Sequence, residues 1–150
     1  MIKASLLTIA SVSMFSLSAQ AAESPNDLNE WVSQAGVAIS AKMHFPSKEI
    51  TRRHIGTNSY EVTIDRQGEI VHYITTAQSE RQAFDKASDR ALKYVHFPEL
   101  PAGYSPEQLR FSLNMYYYNT EKDIEKLRQR GSVKGQQIAL LPLDNNAADE

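Results

Sequence analysis

The sequence has no cysteine among its 150 residues, and it has no large excess of charge of either sign. The absence of cysteine excludes disulfide bonds, thiol catalysis and thiolate metal sites. Sixteen basic residues against eighteen acidic residues give a formal charge of -2. Proteins that bind nucleic acid carry a basic surface, so nucleic acid is not predicted as a partner. A chain of this length suits one small domain whose stability comes from packing.

Sequence motifs for catalysis and metal binding are also missing. The four histidines, at positions 44, 54, 72 and 96, lie ten or more residues apart, without the i, i+4 pairing of a metal site on one helix. The chain contains no GxSxG elbow, Walker loop or GxGxxG motif. We therefore predict no metal, no cofactor and no enzymatic activity. The alternative is a periplasmic enzyme whose site is assembled in the fold from His72, Tyr73 and carboxylates.

The sequence has one long uncharged hydrophobic run, at its amino terminus. Lys3 precedes a run of small and apolar residues from Ala4 to Ala19, and Ala19-Gln20-Ala21 has the small-x-small form that signal peptidase accepts. The run is shorter than the roughly 20 apolar residues of a spanning helix. We predict a cleaved secretory signal and a mature, soluble periplasmic protein from Ala22. The alternative is a retained membrane anchor, and the presence or absence of residues 1–21 in the native protein distinguishes the two.

The spacing of apolar residues predicts an α+β fold. Spacings of three and four residues indicate a helix from Leu28 to Met43 and a second helix from Ser79 to Val95. Apolar and polar residues alternate over Tyr60–Asp65 and Glu69–Thr76, on either side of a turn, which predicts a β-hairpin. The alternation returns in a long third strand, Leu109–Tyr117.

The carboxy-terminal part of the chain is more polar. Asn119-Thr120 can cap a short charged helix, Glu121–Arg130, and the following tail has one apolar patch, Ile138–Leu143. The predicted divisions of the chain are a signal peptide (1–21), a folded domain (22–118), a charged helical extension (119–131) and a disordered tail (132–150).

Three sequence motifs carry a resemblance to a known family. They are the hairpin series Tyr60–Val71, the helix motif Phe84-Asp85-Lys86-Ala87 and the helix ending Tyr94-Val95-His96-Phe97-Pro98. Their order and spacing resemble the carboxy-terminal domain of the TonB family, over roughly residues 28–118, and the first helix with Trp31 is similar to the opening of TolA-type domains. The resemblance implies a two-layer α+β fold with helices packed on one face of a small three-stranded antiparallel sheet.

The resemblance also implies a function. Members of the family transmit inner-membrane energy to outer-membrane transporters, whose short TonB box pairs with the domain as an added strand. For this chain the resemblance implies a periplasmic protein-binding module that is accessory to a TonB or Tol system. Its partner would be an outer-membrane transporter or a Ton/Tol component, and its contact with the membrane would be only indirect. Domains of this type also dimerise by strand exchange, so a homodimer is a further possibility. A short membrane-anchored transducer is the alternative if the signal is retained.

The third strand is the predicted binding edge, since the family's TonB box pairs with its closing strand. An unpaired strand edge offers backbone N–H and C=O groups, and tyrosine is enriched at interfaces. The predicted partner contacts are Arg110, Ser112, Asn114, Tyr116 and Tyr118. The alternative is that this edge is covered, either by the helix Glu121–Arg130 or by Ile138–Leu143 folding back.

Overall fold

The helices and strands of the domain follow in the order α1–α2–β1–β2–α3–β3–α4–β4. The structure, a computed structural model, describes residues 24–133 and 136–142, so the predicted signal segment and residues 143–150 of the predicted tail lie outside it. The helices are α1 (Leu28–Lys42), α2 (Ser47–Thr51), α3 (Gln82–Tyr94) and α4 (Glu121–Gln129). The strands are β1 (Gly56–Asp65), β2 (Ile70–Ala77), β3 (Gln108–Tyr117) and β4 (Ile138–Leu140). Within these described ranges, no helix combines the length and hydrophobicity needed to cross a membrane.

The strands form one antiparallel sheet in the order β2-β1-β3-β4. Alternate residues of β1 and β3 point into a core that α1 and α3 cover from one side. The predicted α+β architecture, with helices on one face of an antiparallel sheet, is therefore confirmed. The predicted number of three strands is wrong, because Ile138–Leu140 of the predicted tail adds a fourth strand beside β3.

Two of the four described helices, α1 and α4, begin at residues whose side chains cap them. The Asp27 side chain caps α1 by accepting a hydrogen bond of 2.8 Å from the Glu30 N–H. Thr120 and Asp123 form a capping box at the start of α4. The helix α3 begins at Gln82, three residues later than the Ser79 of the sequence prediction, and its amino-terminal cap residue, Arg81, provides no side-chain bond.

The connector predicted between the first helix and the hairpin contains regular structure. Residues Ser47–Thr51 form the short helix α2, and β1 begins at Gly56, four residues before the predicted start at Tyr60. The inward positions of this extra part of β1 are held by Gly56 and Asn58 instead of large apolar residues. Because neither residue is large and apolar, this part of β1 lacks the alternation on which the sequence prediction depends.

The core is built around aromatic rings. Trp31 of α1 is fully buried, and its ring centroid lies 5.3 Å from that of Phe111 and 6.1 Å from that of Phe97. At the other end of the sheet, the ring of Phe84 stacks on that of Tyr117 at 4.9 Å, and Phe45 meets both edge-on. These contacts hold α1 and α3 on the sheet, because each aromatic pair stabilises the fold by more than its buried area alone provides.

The hairpin turn is also part of the packing. Gly68 has a φ of +82° and donates its N–H to the Asp65 carbonyl, while its own carbonyl accepts from the Phe97 N–H. The Asp65 carboxylate accepts the N–H groups of Gln67 and Glu69. The turn therefore joins the β1–β2 hairpin to the segment that follows α3.

Candidate functional site

The predicted contact residues on β3 share one face of the sheet. Arg110, Ser112, Asn114 and Tyr116 alternate with the apolar core residues of β3, so their side chains lie on the face opposite α1 and α3. Tyr118 lies one residue beyond the end of β3 and is 45% exposed. The structure thus brings four of the five predicted residues onto one stripe.

The outer edge of β3 is paired with β4. Phe111, Ser112 and Leu113 lie opposite Leu140, Ala139 and Ile138. Backbone hydrogen bonds flank these pairs, from the Asn114 N–H to the Gln137 carbonyl (2.7 Å) and from the Leu141 N–H to the Arg110 carbonyl (3.0 Å). Residues 138–141, part of the apolar patch of the tail, therefore fold back and cover the outer edge of β3, as the alternative prediction had it.

Asn114 is the most constrained of the predicted contacts. It is 5% exposed, its side-chain amide donates to the Gln136 carbonyl (3.1 Å), and its side-chain oxygen accepts from the Ser59 hydroxyl (2.7 Å). Through these bonds the Asn114 side chain connects β3 to β1 and to the residues that lead into β4.

Arg110 lies at the other end of the stripe. Its guanidinium donates to the Glu61 carboxylate across the β1–β3 pair at 2.6 Å, and both side chains are 29% exposed. Ser112, directly opposite Glu61, and Tyr116 are both half-buried. The stripe is therefore polar and partly accessible, with a charged pair at one end and Tyr118 beyond the other.

Polar contacts that sequence reasoning missed lie on the helix side of the sheet. The buried Asn58 donates to the Asp85 carboxylate, which also accepts the Ser79 N–H at 2.9 Å. The hydroxyls of Ser88 and Tyr117 are hydrogen-bonded at 2.9 Å. Asp85 and Ser88 occupy helical positions three apart, which was the available signal that one face of α3 carries polar groups.

Two buried tyrosines lie in the same region. Burial and the nearby Asp89 carboxylate raise the pKa of Tyr60 well above its usual value, and burial raises the pKa of Tyr117. The Tyr60 hydroxyl donates to Asp89 at 3.3 Å. Both phenols are therefore neutral hydrogen-bonding groups that position α3 on the sheet.

The residues of the enzyme alternative lie on β2, which is the opposite edge of the sheet. His72 is exposed, and Tyr73 is 40% exposed with its ring 6.1 Å from that of Tyr60. An enzyme site built on these residues needs a deep polar pocket around them, and both lie instead on an exposed strand. No group of three or more His, Asp or Glu residues is placed to hold a metal ion in the described part of the chain.

The fold defines a class of protein: a small two-layer α+β domain with helices on one face of a four-stranded antiparallel sheet. The family model described as TonB C terminal matches residues 29–115, more than half of the chain. The chain belongs to this family. TonB C-terminal domains are non-catalytic protein-interaction modules of energy transduction and function in the periplasm.

The comparison with solved structures includes the solution structure of the Helicobacter pylori TonB carboxy-terminal domain. The two chains are 22% identical, the match covers 62% of this chain and 84% of that chain, and the TM-score is 0.49. The comparison with curated proteins finds no match.

Proposed function

We propose that this protein is a periplasmic binding module, accessory to a TonB or Tol system, that receives an extended segment of its partner as an added strand at the outer edge of β3. The partner is an outer-membrane transporter or a Ton/Tol component. Side chains of Arg110, Ser112, Asn114, Tyr116 and Tyr118 would contact the incoming segment. Family membership supports the proposal, together with the way in which β4 covers this edge.

The short strand β4 is the observation that carries the proposal. It has three residues, and Ile138 is its one buried side chain. The backbone hydrogen bonds that pair it with β3, the two flanking bonds and the Asn114–Gln136 bond are each worth about 1 kcal/mol net, and burial of Ile138 adds about 1.5–3 kcal/mol. A longer incoming strand can replace these interactions and extend the pairing along β3, because an edge strand presents a row of backbone donors and acceptors.

A disulfide between β3 and β4 is expected to block partner binding. Ser112 and Ala139 are directly opposed, and the chain has no cysteine of its own, so the double variant Ser112→Cys, Ala139→Cys carries a single possible bridge. Oxidation should lower binding to outer-membrane transporters from the native host at least tenfold, and reduction should restore it. A homodimer formed by strand exchange at this edge would be blocked by the same bridge.

The reduced form of the same protein is the matched control, because it contains both substitutions without the bridge. Binding can be measured as capture of solubilised transporters on the immobilised protein. Equal capture by the oxidised and reduced forms would show that the partner does not need the edge that β4 occupies, and would contradict the proposal.

A further inference from the structure

A groove between the end of α1 and α3 has an unusual distribution of charge. We call it the α1–α3 groove. Its floor is formed by Phe45, Pro46, Ala83 and Ala87, all of which are half-buried. Its rim carries the exposed cationic side chains of Lys42, Lys86 and Arg90. No Asp or Glu lines it, although the whole protein has a formal charge of -2.

The helix α3 separates its charges between two sides. Ala83, Lys86, Ala87 and Arg90 follow one another at the three- and four-residue spacings that place side chains on one helix face. The acidic residues Asp85 and Asp89 are directed elsewhere, since they bond Asn58 and Tyr60 of β1. Asp89 lies three residues after Lys86, but its carboxylate bonds Tyr60 and forms no ion pair with Lys86.

The three rim cations are also unpaired within the described residues. Other basic side chains form ion pairs, including Arg110 with Glu61 and Arg128 with Glu125. Lys42, Lys86 and Arg90 make neither an ion pair nor a side-chain hydrogen bond with any residue of 24–133 or 136–142.

We infer that the α1–α3 groove docks an acidic segment of a partner protein, with carboxylates on the cationic rim and an apolar side chain on the floor. The charge complementarity selects an anionic occupant. The concave floor favours a peptide over a lipid surface, because a single side chain reaches Phe45 and Ala87 between the rim residues, whereas a flat layer of headgroups contacts the rim alone. This docking surface is separate from the β3 edge and does not depend on strand addition.

The test uses a capped peptide probe of sequence Gly-Glu-Leu-Glu-Glu-Leu-Glu-Gly and a neutral version with glutamine in place of glutamate. Binding to the full mature protein is followed by NMR titration, which also locates the affected amides. We expect shifts centred on Phe45, Ala83 and Ala87. The glutamine peptide and the double variant Lys86→Glu, Arg90→Glu should each bind at least tenfold more weakly, and 0.5 M salt should weaken the wild-type interaction strongly.

The matched control is Lys122→Glu, Arg128→Glu on α4, which makes the same change of charge at two other exposed positions. It should leave the affinity within about twofold, because neither residue lines the groove and salt screens the interaction between exposed charges. An equal loss in the control variant, or equal binding of both peptides, would overturn the inference. Binding to phosphatidylglycerol vesicles without binding to the acidic peptide would also overturn it and would assign the groove to lipid.

Discussion

Replacing Gly68 by alanine is expected to cause a large loss of stability. A Cβ at this position would lie 2.1 Å from the carbonyl oxygen of Phe97 and 2.8 Å from that of Pro98. Both obstacles are backbone atoms, so no side-chain rotation relieves the clash. The φ of +82° is also unfavourable for any residue with a Cβ. Strain and overpacking together should lower the free energy of unfolding by roughly 2–5 kcal/mol.

Two other glycines separate these two effects. Gly131 has a φ of +66° but open space around it, so Gly131→Ala should cost about 1 kcal/mol from backbone strain alone. Gly103 has neither constraint, and Gly103→Ala should change stability by less than about 0.5 kcal/mol. Urea unfolding followed by far-ultraviolet circular dichroism measures all three. A Gly68→Ala protein as stable as Gly103→Ala would show that the turn does not pack against Phe97.

Truncation of Trp31 to alanine is the second change with a large expected effect. The indole is fully buried between Phe97 and Phe111, and its Nε1–H donates to the Pro98 carbonyl at 2.9 Å. Removing it leaves a large cavity and an unsatisfied carbonyl, so the free energy of unfolding should fall by about 3–5 kcal/mol. Circular dichroism is the appropriate probe, because Trp31 is the sole tryptophan and its removal abolishes tryptophan fluorescence.

A variant on the same helix gives the comparison. Val37 is 71% exposed, so Val37→Ala should cost less than about 0.5 kcal/mol. Trp31→Phe keeps an aromatic ring in place and removes the indole N–H, and its stability should lie between those of the wild type and Trp31→Ala. If Trp31→Ala and Val37→Ala unfold at the same urea concentration, α1 does not pack on the sheet through Trp31.

The elements with strong hydrophobic periodicity were predictable from the sequence. The spacing of apolar residues after Asp27 correctly places α1, and the alternation around Gly68 correctly places the β1–β2 hairpin. The long third strand is confirmed as β3. The predictions of α1, β1 and β3 succeed because one face of each is buried, and the pattern of burial repeats with the period of the element. The strand β2 is mostly exposed, and its place follows from the turn at Gly68 and its pairing with β1.

The elements that the sequence did not reveal lack such a pattern. The first residues of β1 place Gly56 and Asn58 inward, because the ring of Phe84 occupies the space beside Gly56 and Asp85 accepts the Asn58 amide. The strand β4 has three residues, too few to show an alternation. Its pairing depends on contacts with β3, about 25 residues earlier in the chain, which local patterns do not report.

The sequence was enough to predict which side chains of the candidate site share one face of β3, but not which groups they contact. Strand alternation alone places Arg110, Ser112, Asn114 and Tyr116 on one face. The sequence could not show that Asn114 bonds Ser59 and the Gln136 carbonyl, since these contacts exist only once β1, β3 and the approach to β4 have assembled. The pairing of β4 with the outer edge of β3 likewise forms only in the folded chain.

Site-specific photocrosslinking from Tyr118 tests strand addition at β3 most directly. Tyr118 is 45% exposed and lies beyond the end of β3, so a photoreactive phenylalanine analogue can replace it without entering the core. In cells that produce the protein natively, we expect crosslinks to a periplasm-facing extended segment of an outer-membrane transporter or Ton/Tol component. The same analogue at Val71, which is 54% exposed on the opposite edge strand, should not give them. Crosslinks to such a partner from Val71 and none from Tyr118 would show that the partner does not bind at the β3 edge.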